Sequence, residues 1–178
     1  MPKMMLTTLL SCLLALFPLL TLAQTCNPRI PATTPTSRFT RFDNGTVLDK
    51  HTGLMWKACS EGQTWNKLAH LCELTPEVYE WFAAIQHTQA VNRQDGFADY
   101  KDWRLPNIKE LLTLVERQCR SPAINLEVFP NSESRMFTFF SSSRGSSYSY
   151  WRVNFDDGSD LRFARPSPTG AVYLVRNP

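Results

Sequence analysis

No lysine follows Lys109, no cysteine follows Cys119, and no two cysteines stand in a Cys-x-x-Cys pair. The missing pair removes the spacing on which zinc and thioredoxin-type sites are usually built. Histidine is scarce as well. His51, His70 and His87 are isolated from one another in sequence, and each reads as a surface or helix residue rather than a ligand. Nowhere does a nucleophile sit beside a base in the pattern that covalent catalysis needs. There is no internal repeat, no heptad and no low-complexity tract. An excess of charge is also missing: the formal net charge of +3 falls by one without Lys3, which argues against bulk nucleic-acid binding.

Among what is present, the N-terminus comes first. Lys3 precedes an apolar run from Met4 to Leu22, and the small residues Thr21 and Ala23 stand ahead of Gln24. That is the layout of a secretory signal at residues 1–23, cleaved after Ala23. Thr7, Thr8, Ser11 and Pro18 interrupt the run and weaken a membrane-anchor reading. The expectation is an exported protein, periplasmic or extracellular, that is not integral to a membrane. Cleavage removes Cys12 and leaves Cys26, Cys59, Cys72 and Cys119. An even number in an exported chain favours disulfides, with three connectivities open. Joining Cys59 to Cys72 would close a local loop and Cys26 to Cys119 a long one, each contributing roughly 3 to 5 kcal/mol.

Residues 24–37, rich in proline and threonine, read as an extended leader tied down at Cys26, and residues 38–178 as one domain. Arg38 to Phe42 and Thr46 to Leu48 flank Asp43-Asn44-Gly45, a hairpin signal. A second turn at Asp49 to Gly53 leads to the strand Leu54-Met55-Trp56. Thr75-Pro76-Glu77 opens a helix expected to run from about Pro76 to Asn92, with Trp81, Phe82, Ile85 and Thr88 or Gln89 on one face. Asn107 with Glu110 three residues on is a variant of the capping box, predicting a second helix that ends near Arg117, just before Cys119. Downstream, Ser149, Trp151, Val153 and Phe155 share one strand face and Tyr148, Tyr150, Arg152 and Asn154 the other; the tryptophan face is expected inside. Asp156-Asp157-Gly158 turns the chain. Leu161 and Phe163 then continue the core face with Arg162 outside, and Ala171 to Val175 reads as a strand covered on both sides.

Three tryptophan-centred segments stand out: Thr52 to Trp56, Asp102 to Asn107, and Tyr150 to Phe155. With Asn44 to Val47, Lys109-Glu110-Leu111, Phe129-Pro130-Asn131, Asp157-Gly158 and Tyr173 to Arg176, they form an ordered series that resembles the Lcl C-terminal domain family, a bacterial domain of unknown function. Trp56, Asp102, Trp103, Arg104, Pro106, Asn107, Glu110 and Trp151 carry its signature. The resemblance implies an α+β, C-type-lectin-like fold related to formylglycine-generating enzymes. Such a fold would have two helices, small antiparallel sheets, long loops, and paired N- and C-terminal strands. It also implies the disulfides Cys26–Cys119 and Cys59–Cys72, and adhesion to sulfated glycans of the kind the family's namesake suggests.

The candidate binding surface is the Ser- and Tyr-rich stretch from Ser141 to Asn154. Tyrosine supplies rigid amphipathic contact area there, and serine and glycine let the loop adapt. Arg144, Tyr148, Tyr150, Arg152, Asn154 and Arg162 are the candidate ligand residues, and arginine suits planar contacts to an anionic glycan. Arg104 is expected to tie its loop to a carboxylate, with Glu110 capping the helix, both structural roles. Asp156, Asp157 and Asp160 make an oxygen-rich stretch that a structural calcium ion could occupy, but the turn explains Asp157-Gly158 without one. No cofactor and no catalytic residue is expected. The function expected is noncatalytic recognition of a glycan or protein; the alternatives are a cryptic enzyme of the formylglycine-generating kind and a structural subunit of a surface assembly.

Overall fold

A computed structural model describes residues 24–130, 138–146, 149–164 and 169–178. Residues 1–23, expected to be a signal, Tyr148 and Asn131 fall outside these residues. In chain order the elements are β1 (Thr25–Cys26), β2 (Phe39–Arg41), β3 (Thr46–Asp49), β4 (Leu54–Lys57), β5 (Thr64–Asn66), β6 (Leu71–Glu73), α1 (Trp81–Arg93), α2 (Ile108–Leu112), β7 (Cys119–Arg120), β8 (Thr138–Ser146), β9 (Ser149–Asn154), β10 (Ser159–Ala164) and β11 (Val175–Arg176). The described residues therefore form the expected α+β arrangement, with small antiparallel sheets ordered β11-β4-β3-β2, β10-β9-β8, β1-β7 and β5-β6.

Local chemistry accounts for the first sheet. Asn44 Oδ1 accepts hydrogen bonds from Thr46 N at 3.1 Å and Thr46 Oγ1 at 2.7 Å. Gly45 has φ +80°, and a Cβ there would meet the Trp65 ring at 2.7 Å, so only glycine closes this turn. Asp49 organises the next turn by accepting from His51 N at 3.0 Å and Thr52 Oγ1 at 2.8 Å, and Arg38 forks onto the same carboxylate. The C-terminal strand joins this sheet at β4, with Val175 opposite Trp56. The expected union of the two chain ends thus runs through β4; β2 lies at the far edge, and β1 pairs with β7.

Two apolar clusters are built from alternate residues of the same segments. Trp56, Phe139, Val153, Tyr173 and Val175 enter one, while Met55, Phe140, Tyr150, Val172 and Leu174 enter the other. A fully buried side chain of this size contributes roughly 1.5 to 3 kcal/mol, so a strand that feeds both clusters stabilises through every residue rather than every second one. Ala171 to Val175 is covered on both sides as expected. Its regular pairing is limited to Val175–Arg176, with a bridge from Ala171 to Phe139 upstream.

The structure corrects four local expectations. Helix α1 starts at Trp81 rather than near Pro76, because the preceding backbone bonds elsewhere: Glu77 N donates to Glu61 O at 2.9 Å, and Tyr79 exchanges hydrogen bonds with Gly170. Phe82, placed on the helix's inner stripe, is largely exposed. Helix α2 stops at Leu112 rather than Arg117, since Val115 bridges Ile124 and Cys119 enters β7. On β9 both faces are covered: Ser149, Val153 and Phe155 of the expected inner face are buried and Trp151 is only half-buried, while Tyr150 and Arg152 of the face expected outside are buried too. Trp81 of α1 explains Tyr150, stacking on its ring at 3.8 Å.

The leader is stitched to the domain through Glu116. That buried carboxylate accepts from Thr33 N, Thr33 Oγ1, Thr34 N, Thr34 Oγ1 and Gln118 N at 2.8–3.1 Å. Cys26 and Cys119 face each other across β1 and β7 and are joined by a disulfide, and Cys59 is joined to Cys72. Both pairings are those the family resemblance implied.

Candidate functional site

The segment from Asp102 to Asn107 is held extended by three different elements. Arg104 N and O pair with Val175 of β11 at 2.9 and 3.0 Å. Asn92 of α1 clamps the Trp103 backbone from both sides, donating to its carbonyl at 2.6 Å and accepting from its N–H at 3.0 Å. Pro106 O accepts from Ser142 N of β8 at 2.8 Å. Trp103 is buried beneath this segment and donates its indole N–H to Phe97 O at 3.0 Å. At the other end, Asp102 takes the Arg176 guanidinium at 2.7 Å, and that contact holds its carboxyl below the usual range.

Between this segment and α1 lies a groove of about 580 Å³. Its α1 wall is Ile85, Thr88, Gln89 and Asn92; opposite are Arg104, Leu105, Asn107 and Glu110, and Ser142 closes one side. The volume falls within the roughly 300 to 1,000 Å³ of small-ligand sites. Asn107 Oδ1 accepts from Glu110 N at 2.9 Å while Glu110 Oε2 accepts from Asn107 N at 2.7 Å, the reciprocal cap that the spacing predicted. Arg104, expected to meet a carboxylate that the sequence did not name, meets this one in a two-pronged contact at 2.8 Å for each prong, and reaches Asn177 Oδ1 at 3.1 Å. Burial pushes the Glu110 carboxyl up, but Arg104 and the Asn107 N–H outweigh it and hold it below its ordinary value. The hydrogen bond to Glu110 raises the Arg104 guanidinium in turn.

A second charged cluster lies on another face of α1. Glu61 is buried, with Lys57 Nζ at 2.5 Å from one oxygen and His87 Nε2 at 2.6 Å from the other. Lys57 also sits 4.4 Å above the Phe97 ring, and Tyr79 lies against the His87 imidazole at 4.7 Å. Burial raises the Glu61 carboxyl, and His87 with Lys57 more than reverses that. Tyr79 is pushed up by burial and by Glu77, whose carboxylate its hydroxyl reaches at 2.5 Å. Sequence reasoning missed this cluster because its members come from separate stretches of chain. His87, read as isolated, is a partner of Glu61.

The structure distributes the candidate ligand residues unevenly. Arg144 and Arg162 are exposed, the first 5.7 Å from the Trp81 ring and the second with its stem across Gly145, where a Cβ would meet Arg162 Cδ at 2.6 Å. Arg152 is buried, its guanidinium 3.5 Å above Phe163 and 5.5 Å from Phe140, and burial lowers it to about 10. Tyr150 is buried, and Tyr148 lies outside the described residues. Asn154 Oδ1 is engaged by Asp156 N at 2.9 Å. Asp157 accepts from both the backbone and the hydroxyl of Ser159, at 3.0 and 2.7 Å, while Asp160 is exposed.

The groove was not among the sequence candidates, although five of its residues belong to the signature segments. A signal for it was present in Ile85, Thr88, Gln89 and Asn92, which mix apolar and polar side chains on a single helical face. Comparison with known proteins adds one match: the family model described as the Lcl C-terminal domain covers residues 45–176. No curated protein matches the chain.

Proposed function

Since the chain belongs to the Lcl C-terminal domain family, we propose that it is an exported, noncatalytic recognition domain that seats its ligand in the groove between α1 and the Asp102–Asn107 segment. One observation carries this reading: the signature residues Trp103, Arg104, Asn107 and Glu110 converge on a groove of about 580 Å³. Its floor is fixed by hydrogen bonds to α1, β8 and β11, so little ordering is needed when a ligand arrives. The two disulfides are compatible with an oxidising compartment outside the cytosol. No described helix is long and apolar enough to cross a membrane. The noncatalytic reading is supported by the pairing of Arg104 with Glu110, which leaves neither group poised as acid or base. A C-type-lectin-like ancestry fits the mixed fold and short sheets. Arg144 and Arg162 extend the contact surface beyond the groove.

The test is a combined glycan and peptide array probed with the oxidised protein and with Gln89→Trp, which fills the groove from an exposed helix position. We expect the parent to bind and the variant to lose binding while melting like the parent. Equal binding by the two proteins sinks the assignment. A second reading, a subunit of a surface assembly, draws on the exposed Leu68, Leu71, Leu74, Val78 and Phe82. It requires a concentration-dependent mass above the monomer in light scattering.

A further inference from the structure

Two charged residues line the groove, Arg104 and Glu110, and each is the partner of the other. Their two-pronged contact, with the Glu110 carboxyl held low and the Arg104 guanidinium held high, keeps both ionised together. The wall therefore has no net charge to offer an anion or a cation, and a charged ligand would give up its hydration without a counter-charge in return. Hydrogen-bonding capacity is abundant all the same. The Gln89 amide and the Arg104 Nε–H carry no hydrogen bond among the described residues, and Glu110 Oε1 accepts one where Oε2 accepts two. Beside these polar groups lie the aliphatic side chains of Ile85 and Leu105.

We propose that this groove takes a neutral sugar, with a pyranose ring laying its C–H face on Ile85 and Leu105 and its hydroxyls against Gln89, Arg104 and Glu110. The proposal rests on the groove reading above and narrows it. A hydroxyl both donates and accepts, and adjacent hydroxyls on a ring match a wall where a guanidinium donor stands beside a carboxylate acceptor. A sulfated or carboxylated glycan lacks that match here; Arg144 and Arg162, the exposed arginines, do not line the groove. The anionic preference expected from arginine content alone is thus displaced, because Arg104 is neutralised by Glu110 and Arg152 is buried.

The experiment is amide chemical-shift mapping of the oxidised protein titrated separately with chitotetraose, maltotetraose, mannotetraose, a heparin tetrasaccharide and an unstructured peptide mixture. At least one neutral tetrasaccharide should move the amides of Ile85, Gln89, Arg104 and Ser142. Its affinity should be unchanged from about 0.05 to about 0.5 M NaCl, since no ion pair forms on binding. Gln89→Ala, at an exposed position, should weaken it by about fivefold to tenfold, the worth of a net hydrogen bond or slightly more. If the heparin fragment or the peptides move these amides and no neutral sugar does, the ligand class is wrong and the groove reading survives. If no probe moves them, both fall. A neutral-sugar affinity that drops steeply with salt, or that Gln89→Ala leaves unchanged, also overturns the assignment.

Discussion

Glu61 shows how one residue can tie several parts of a small domain together. Its carboxylate takes Lys57 from the end of β4 and His87 from α1, while its backbone joins Val172 and Glu77 at 2.9 Å each. Removing it leaves the Lys57 ammonium buried without its carboxylate. We expect Glu61→Ala to cost about 3 to 5 kcal/mol, the usual penalty for breaking a buried pair from one side. Urea denaturation with a constant slope measures it, and a loss below about 1 kcal/mol would mean the cluster is ornamental. Nothing in the sequence announces this cluster. Lys57 and Glu61 are four apart outside any helix, and His87 follows only after an intervening hairpin. By contrast, the roles of Arg104 and Glu110 were legible, because a cap and its neighbours lie within a few residues.

Among the elements, α2 is the shorter of the two α-helices in the described residues and the one with a side-chain cap. It spans Ile108–Leu112, too short to be stable by itself, and begins with a complete capping box. Asn107→Ala should cost about 1 kcal/mol and lower the melting temperature by several degrees, read by calorimetry. It should also loosen Glu110 and with it one side of the groove. The β5–β6 hairpin depends on covalent help in the same way, since among the described residues its strands pair with each other alone and Cys59–Cys72 joins it to the segment just after β4. Replacing both cysteines by serine should cost about 3 kcal/mol, the value for a loop of this size, whereas an unchanged urea midpoint would show that packing alone holds the hairpin. Both helices departed from their expected bounds. Start and stop signals describe what the backbone can do locally, but Glu77, Tyr79 and Val115 find hydrogen-bonding partners elsewhere in the chain, and those win.

The molecule as a whole is held by carboxylates in a way that predicts its response to acid. Burial raises Asp49, Glu61, Glu110 and Glu116, yet in each case donors and positive neighbours prevail and the carboxyl sits below its ordinary value of 3.8 or 4.5. A carboxyl held lower in the folded state binds protons more readily when unfolded. Its contribution is therefore complete above the ordinary value and is lost as pH falls through the folded one. Thermal melts should accordingly be level from pH 7 to about pH 5 and fall steadily below about pH 4.5. The decline should be smaller in Glu116→Gln, where one of these groups no longer titrates. A melting temperature that rises on acidification would contradict this account. Glu116 also shows why the leader is more than a tether: its backbone and hydroxyls are what satisfy that buried charge.

The sequence by itself determined whatever is decided within a few residues: the turns at Asn44-Gly45 and Asp157-Gly158, the cap at Asn107, and the two-sided covering of Ala171 to Val175. Through the ordered tryptophan segments it also determined the family. Only the tertiary structure decided that Tyr150 and Arg152 are buried, where α1 begins and α2 ends, and that the Asp102–Asn107 segment forms the wall of a groove. The physical reason is that burial and hydrogen-bond satisfaction are set by elements that arrive from far along the chain. Trp81 meets Tyr150 and Ser142 meets Pro106 only once the chain has folded.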